Sequence, residues 1–139
     1  LVGRLDGQEY AAAARLLRPM LETATLLVVS SDFTHYGSRF HYQPFPVDQL
    51  TASRIQALDE GALQKILHKD AKGFLAYRDR TGITVCGFRP IALLLRLLPD
   101  DALLEKIAYT TSAASSGDYH HSVSYLVVAV TSPRPLAVP

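Results

Sequence analysis

Apolar and polar positions fall into clearly different patterns along the chain. From Gln8 to Glu22, Tyr10, Ala13, Ala14, Leu17 and Leu21 recur at helical spacing while Arg15 and Arg18 point outward, so a helix is predicted with Asp6 and Gly7 at its start. The pattern then changes to an unbroken apolar run, Leu26-Leu27-Val28-Val29, which predicts a strand over Thr25 to Ser31 buried on both faces. Together these predict a strand, helix, parallel-strand unit with a right-handed crossover. Gly37 to Pro46 mixes aromatics and prolines without period and reads as a loop over the strand end.

Helical spacing returns from Val47 to Arg80. Asp59-Glu60-Gly61 and Asp70-Ala71-Lys72 are predicted to divide it into three short helices, the last ending at Thr81-Gly82. Ile83 to Gly87 leads into a helix over Pro90 to Leu98, whose proline suits a first turn. Leu103 to Ser112 is a predicted strand, Ala113 to Asp118 a small flexible loop, and Ser122 to Thr131 the last strand. The expected architecture is α/β, a layered sheet with helices on both faces, forming one domain over residues 1–132 with a Pro-rich tail over 133–139. Leu1-Val2-Gly3 reads as the end of a buried strand and a loop glycine, so sheet and pocket are expected to continue upstream of Leu1.

Composition narrows the function classes. With 14 Lys plus Arg against 13 Asp plus Glu the net charge is +1 and the charges are dispersed, which argues against an electrostatic nucleic-acid partner. The single cysteine, Cys86, excludes an internal disulfide framework and a cysteine-rich zinc site, and fits a cytoplasmic protein. No apolar run approaches the roughly 18 to 20 residues of a membrane span, so no membrane partner is expected.

Candidate chemistry concentrates where the apolar run stops, at Ser30-Ser31-Asp32-Phe33-Thr34-His35-Tyr36-Gly37. Sheets covered by helices bind ligands beyond the carboxyl ends of their strands, where Asp32 and His35 would stand. A carboxylate and an imidazole there can serve as a general acid/base pair or as part of a metal shell. The structural alternative is that Ser31 or Asp32 caps a turn and His35 bonds nearby backbone. A serine nucleophile at Ser30 or Ser31 lacks the Gly-x-Ser-x-Gly elbow. Cys86 precedes a helix start, a setting that can activate a thiol, but a packing role is the favoured reading. His120 and His121 would point to opposite faces of extended backbone, His41 lies in the aromatic loop, and His68 belongs to the surface. Ser116-Gly117-Asp118 reads as a tight turn in which Asp118 satisfies backbone amides.

Four segments in order resemble the Memo family, whose bacterial members are called AmmeMemoRadiSam system protein B. They are Ser30 to Gly37, Leu58-Asp59 with the helices after it, Arg80 to Gly87 running on to Pro90-Ile91, and Tyr109 to Ser112 with Ser116-Gly117-Asp118 and Ser122 to Tyr125. The resemblance covers what looks like the C-terminal half of such a protein. It implies a fold similar to the catalytic subunits of class III extradiol dioxygenases, with His35 placed for acid/base work and Asp32 beside it as the catalytic pair. It also implies a divalent metal (Fe, Zn or Cu) whose histidine ligands lie upstream, and a further ligand position where this chain has Ser115. Neutral serine is a poor ligand beside thiolate, carboxylate or imidazole.

The expected function is therefore a metal-dependent, dioxygenase-like oxidoreductase pocket for an unidentified small molecule. The family name suggests AMMECR1-type and radical SAM proteins as partners. The alternative is a non-catalytic binding or scaffold protein that kept the fold, which Ser115 favours.

Overall fold

The computed structural model describes residues 5–21 and 25–132. Helix α1 spans Gly7–Leu17 and begins as expected: Asp6 Oδ1 accepts the Gln8 and Glu9 amides, both at 2.9 Å, and Glu9 returns a carboxylate oxygen to the Asp6 amide at 2.7 Å. This reciprocal cap satisfies three donors that the first turn would otherwise leave open. The helix ends earlier than its apolar spacing predicts, and Arg18–Met20 form a 3₁₀ turn. Pro19 is the cause, since it has no amide to continue the ladder. Tyr10 and Ala14 are buried, and α1 rests on α4, with the Arg96 guanidinium 4.9 Å from the Tyr10 ring.

The division expected at Asp59-Glu60-Gly61 does not occur. Helix α2 runs unbroken over Thr51–Leu67, because Asp59 is buried and bonded across the fold rather than turned to solvent to end a helix. Gly61 permits the close approach of the Tyr77 ring, which occupies the space a Cβ would need. The second expected break is present: Lys69 adopts φ +55°, and Asp70 caps helix α3, Ala71–Thr81, by accepting the Gly73 amide at 2.7 Å. Gly82 closes α3 at φ +68°, in the left-handed region that favours glycine. Helix α4 covers Phe88–Leu97. The core lies between these helices, where Ile66, Phe74, Ile83, Ala92 and Leu95 are buried together.

Strand β1 is short, His35–Tyr36; β2 spans Leu103–Thr111 and β3 Ser122–Thr131, close to the predicted boundaries of both long strands. The sheet order is β1-β3-β2 and both pairings are antiparallel. The register slips between Lys106 and Ala108, so Ile107 is an extra, bulged residue. Between β2 and β3 the expected flexible loop is instead a helical turn, α5, Ser112–Ser116, capped at its start by Thr111 and closed by Gly117 at φ +76°. Among the described residues the chain is thus a mixed α/β structure with a small antiparallel sheet.

The strand expected over Thr25 to Ser31, and with it the parallel unit, is not formed. Residues 25–34 carry no ladder, and Leu26 and Val28 are 84% and 73% exposed. Backbone pairing with β3 begins only at the end of the segment, where the Phe33 amide donates to Ser124 O and the Ser124 amide donates to Thr34 O, both at 2.9 Å. Upstream of Phe33 the segment separates from β3. It leaves an apolar cleft of about 840 Å³ between Leu26–Val29, Leu126–Val130 and the α4 residues Ile91 and Leu94. An apolar run has the composition of a buried strand, but burial requires a neighbour on each face. The tail over 133–139 and the opening Leu1-Val2-Gly3 lie outside the described residues. Among those residues no helix is long and apolar enough to cross a membrane.

Candidate functional site

Ser31 to Tyr36 is fixed from three directions. Phe33 and Thr34 are buried. The Asp59 carboxylate of α2 accepts both the Thr34 amide at 3.1 Å and its hydroxyl at 2.7 Å. Its other oxygen accepts the Tyr109 hydroxyl of β2 at 2.8 Å. A buried carboxylate is stable only when its oxygens are met by donors, and this one collects three. Burial, aided by the Asp59 charge, pushes the Tyr109 phenol well above its usual range, so it remains a donor.

The second support is Thr84, between α3 and α4. Its Oγ1 accepts the His35 amide at 2.7 Å and donates to the His35 carbonyl at 3.1 Å, while its own carbonyl lies 2.9 Å from His35 Nδ1. A carbonyl can only accept, so Nδ1 carries the proton and Nε2 of the neutral ring keeps its lone pair. Nε2 faces Asp32 Oδ2 at 3.8 Å. That is too long for a hydrogen bond between them, and suits two groups sharing a third atom. The Phe40 ring meets His35 edge-on at 5.4 Å between centroids.

Cys86 is the third support. Its Sγ accepts the Asp32 amide at 3.2 Å, and its own amide donates to Asp32 O at 3.3 Å. The contacting atoms of Asp32, His35 and Cys86 all lie within 4.8 Å of one another. Carboxylate, imidazole and thiol form a donor set suited to zinc, iron or copper and poorly suited to magnesium or calcium. The expected packing role of Cys86 is corrected: it is exposed and borders the site.

Asp32 and His35 are therefore brought together as expected, and the other candidates are not. Ser115 is exposed on α5. Ser31 Oγ donates to Asp32 O and accepts the Gly87 amide, both at 2.8 Å, so its hydroxyl is engaged with backbone. His68 is exposed, its Nδ1 on Gln64 O at 2.7 Å, and His41 is exposed at φ +53°. Asp118 forms the expected turn, accepting the His120 amide at 2.9 Å, with His121 Nδ1 at 3.6 Å from its other oxygen. His120 contributes backbone to the site's surroundings: its carbonyl sits where a Cβ on Gly37 would be, and Gly37 has φ +119°. The apolar cleft is lined by Ser31 and Phe33 and does not reach Asp32 or His35, as alternate side chains of extended backbone face opposite ways.

Thr84 and Asp59 went unread as site residues and Cys86 was read as packing, yet each had a signal. Ile83 and Val85 are buried, so the alternation across Ile83 to Gly87 turns Thr84 and Cys86 the other way. Asp59 lies four residues from both Ile55 and Leu63, on the buried face of α2.

The family model described as Memo-like protein matches residues 1–129 of this chain. Protein MEMO1 of Homo sapiens is 30% identical over 139 residues, covering 94% of this chain and 47% of that protein. Protein MEMO1 of Danio rerio is 30% identical over 133 residues, with 90% and 45% covered, and that of Xenopus tropicalis 35% identical over 97 residues, with 68% and 33% covered. The chain spans about half the length of the curated relatives it first matches.

Proposed function

This chain belongs to the Memo-like protein family, and on that footing we propose that Asp32 and His35 form the acid/base side of a metal-dependent, oxidoreductase-like pocket acting on a small molecule. The observation that carries the reading is the Thr84 carbonyl on His35 Nδ1, which leaves Nε2 unprotonated and directed at Asp32. An imidazole fixed by one nitrogen presents the other as a proton acceptor or a metal ligand, and the orientation is settled before anything binds. Iron, zinc or copper held beside the pair would supply Lewis acidity toward a bound oxygen, with Nε2 left to the proton. Nε2 takes up or returns a proton, while the Asp32 carboxylate stabilises the imidazolium that results. Thr84, Asp59 and Phe40 hold the ring and its backbone in place.

The test is metal content and affinity of the intact protein with Fe(II), Zn(II) and copper, by elemental analysis and calorimetry, beside His35→Ala. Near-stoichiometric metal in the natural protein and at least about tenfold weaker binding in the variant are expected, with the fold retained. Equal metal binding in both would overturn the reading and turn attention to the scaffold alternative.

A further inference from the structure

We infer that the arginines gathered where α1, α3 and α4 meet form a docking surface for an acidic segment of a partner protein, one rich in aspartate and glutamate.

The arginines converge from separate elements. Arg78 lies on α3, Arg89 and Arg96 on α4, and Arg18 in the 3₁₀ turn after α1. The Arg78 and Arg89 guanidiniums share the Phe88 ring, at 4.1 and 4.5 Å from its centroid. Arg96 lies 4.9 Å from the Tyr10 ring, and Arg18 Nη2 donates to the Arg96 carbonyl at 2.9 Å. Burial pushes the Tyr10 phenol up while the charges of Arg89, Arg96 and Arg78 pull it down, so all three act on one ring. Arg89 and Arg96 are seven residues apart, on one face of α4 and about 10 Å from each other along its axis.

This charge is not offset from within. Among the described residues Arg78 pairs with Asp79 at 3.0 Å, and no carboxylate meets Arg18, Arg89 or Arg96. Arg89 also stands in the first turn of α4, where a cation adds to the helix dipole instead of balancing it. That turn has neither an acidic residue nor a side-chain cap. Two guanidiniums on one ring repel each other as well. Each placement is unfavourable in the free protein and is relieved by an arriving anion.

The form of the surface selects the anion. The net charge of the whole chain is only +1, so the excess is local. A span of about 10 Å along α4 is that of a few residues of peptide, shorter than the track of phosphates that nucleic-acid binding uses. The four side chains are half-buried, and guanidiniums laid on rings present their edges in fixed directions. Planar forks held in this way match carboxylates two bonds at a time, whereas the diffuse potential of a lipid surface is met by extended, mobile lysines.

The test is fluorescence anisotropy of a fluorescein-labelled oligoglutamate peptide titrated with the intact protein, with the matching oligoglutamine peptide as control. The natural protein is compared with Arg78→Gln/Arg89→Gln and with Arg54→Gln, a residue of α2 paired with Asp48, and circular dichroism checks each fold. Expected is binding of oligoglutamate and not of oligoglutamine, weakening as salt rises from about 50 to about 200 mM. The double variant weakens binding at least about tenfold and Arg54→Gln less than about twofold. Where the double variant does not fold, Arg78→Gln and Arg89→Gln taken singly are each expected to weaken it at least about threefold. Equal affinity in the natural protein and the folded variants, or an equal loss in Arg54→Gln, overturns the inference. Capture of phosphatidylserine vesicles or duplex DNA that the same substitutions abolish, without oligoglutamate binding, overturns the protein partner and assigns the surface to that anion.

Discussion

Two Asp-x-x-His pairs occur in this chain, and the contrast between them shows what separates a site from a turn. Asp32 and His35 approach to 3.8 Å, Asp118 and His121 to 3.6 Å, so neither spacing nor distance tells them apart. The difference lies in what the remaining polar atoms do. At Asp32–His35 the ring is held from outside the pair by the Thr84 carbonyl, leaving Nε2 free, and Cys86 adds a third donor. At Asp118–His121 the carboxylate accepts the His120 amide at 2.9 Å, and His121 Nδ1 stands 3.6 Å from its other oxygen. Among the described residues no third metal-ligating side chain joins that pair. One pair has its ring held by backbone from outside the pair; the other satisfies its own backbone.

The comparison is broken most directly by exchanging charge for amide at each aspartate. Asp32→Asn is expected to weaken Zn(II) or Co(II) binding by at least about tenfold, because an amide oxygen is a poorer donor and carries no charge to offset the cation. Asp118→Asn is expected to leave the affinity within about twofold, since it lies outside the donor set. Calorimetric titration of both variants reads the two numbers, and equal losses would erase the distinction.

Support from a distance comes next. Asp59→Ala leaves the Thr34 amide, the Thr34 hydroxyl and the Tyr109 hydroxyl without their buried acceptor, and an expected loss of about 2–4 kcal/mol should appear in urea unfolding. Thr84→Val is milder. It removes the hydroxyl that bridges His35 amide and carbonyl but keeps the Thr84 carbonyl on Nδ1, so about 1 kcal/mol and only a few-fold change in metal affinity are expected. A larger effect of Thr84→Val on affinity would mean that the backbone clamp, rather than the tautomer, prepares the ring.

How much of this was legible depends on whether the cause was local. α1, α3, α4, β2 and β3 follow from periodicity and caps written within a few residues, such as Asp6, Asp70 and Gly82. Asp59-Glu60-Gly61 reads as a helix break until Thr34 and Tyr109 are known to face Asp59, and Thr34 is 25 residues away. Leu26 to Val29 reads as a buried strand because its composition says nothing of what lies alongside. The site divides similarly. Asp32 and His35 share one motif at the end of an apolar run, whereas Cys86 reaches Asp32 across 54 residues and only the fold discloses it.

The smallest effect sharpens the contrast from the other side. The His120 amide, with His121 nearby, holds the Asp118 carboxyl below the usual carboxylate range. A carboxyl depressed in the folded state contributes stability that is present above its unfolded value of about 3.9 and is lost as pH falls through the folded value. Asp118 is fully exposed, so the contribution is expected to be too small to move the melting temperature at neutral pH and to be visible only locally. Carbon NMR of the Asp118 carboxyl should therefore show a depressed midpoint, with the His120 amide resonance shifting in step as the acceptor is protonated. Asp118→Asn should abolish that titration while preserving the turn, because its side-chain carbonyl still accepts the same amide. An ordinary midpoint with an unresponsive His120 amide would mean that the carboxylate is not committed to its backbone. Asp118 would then be as available as Asp32, and the line drawn between the two pairs would fail.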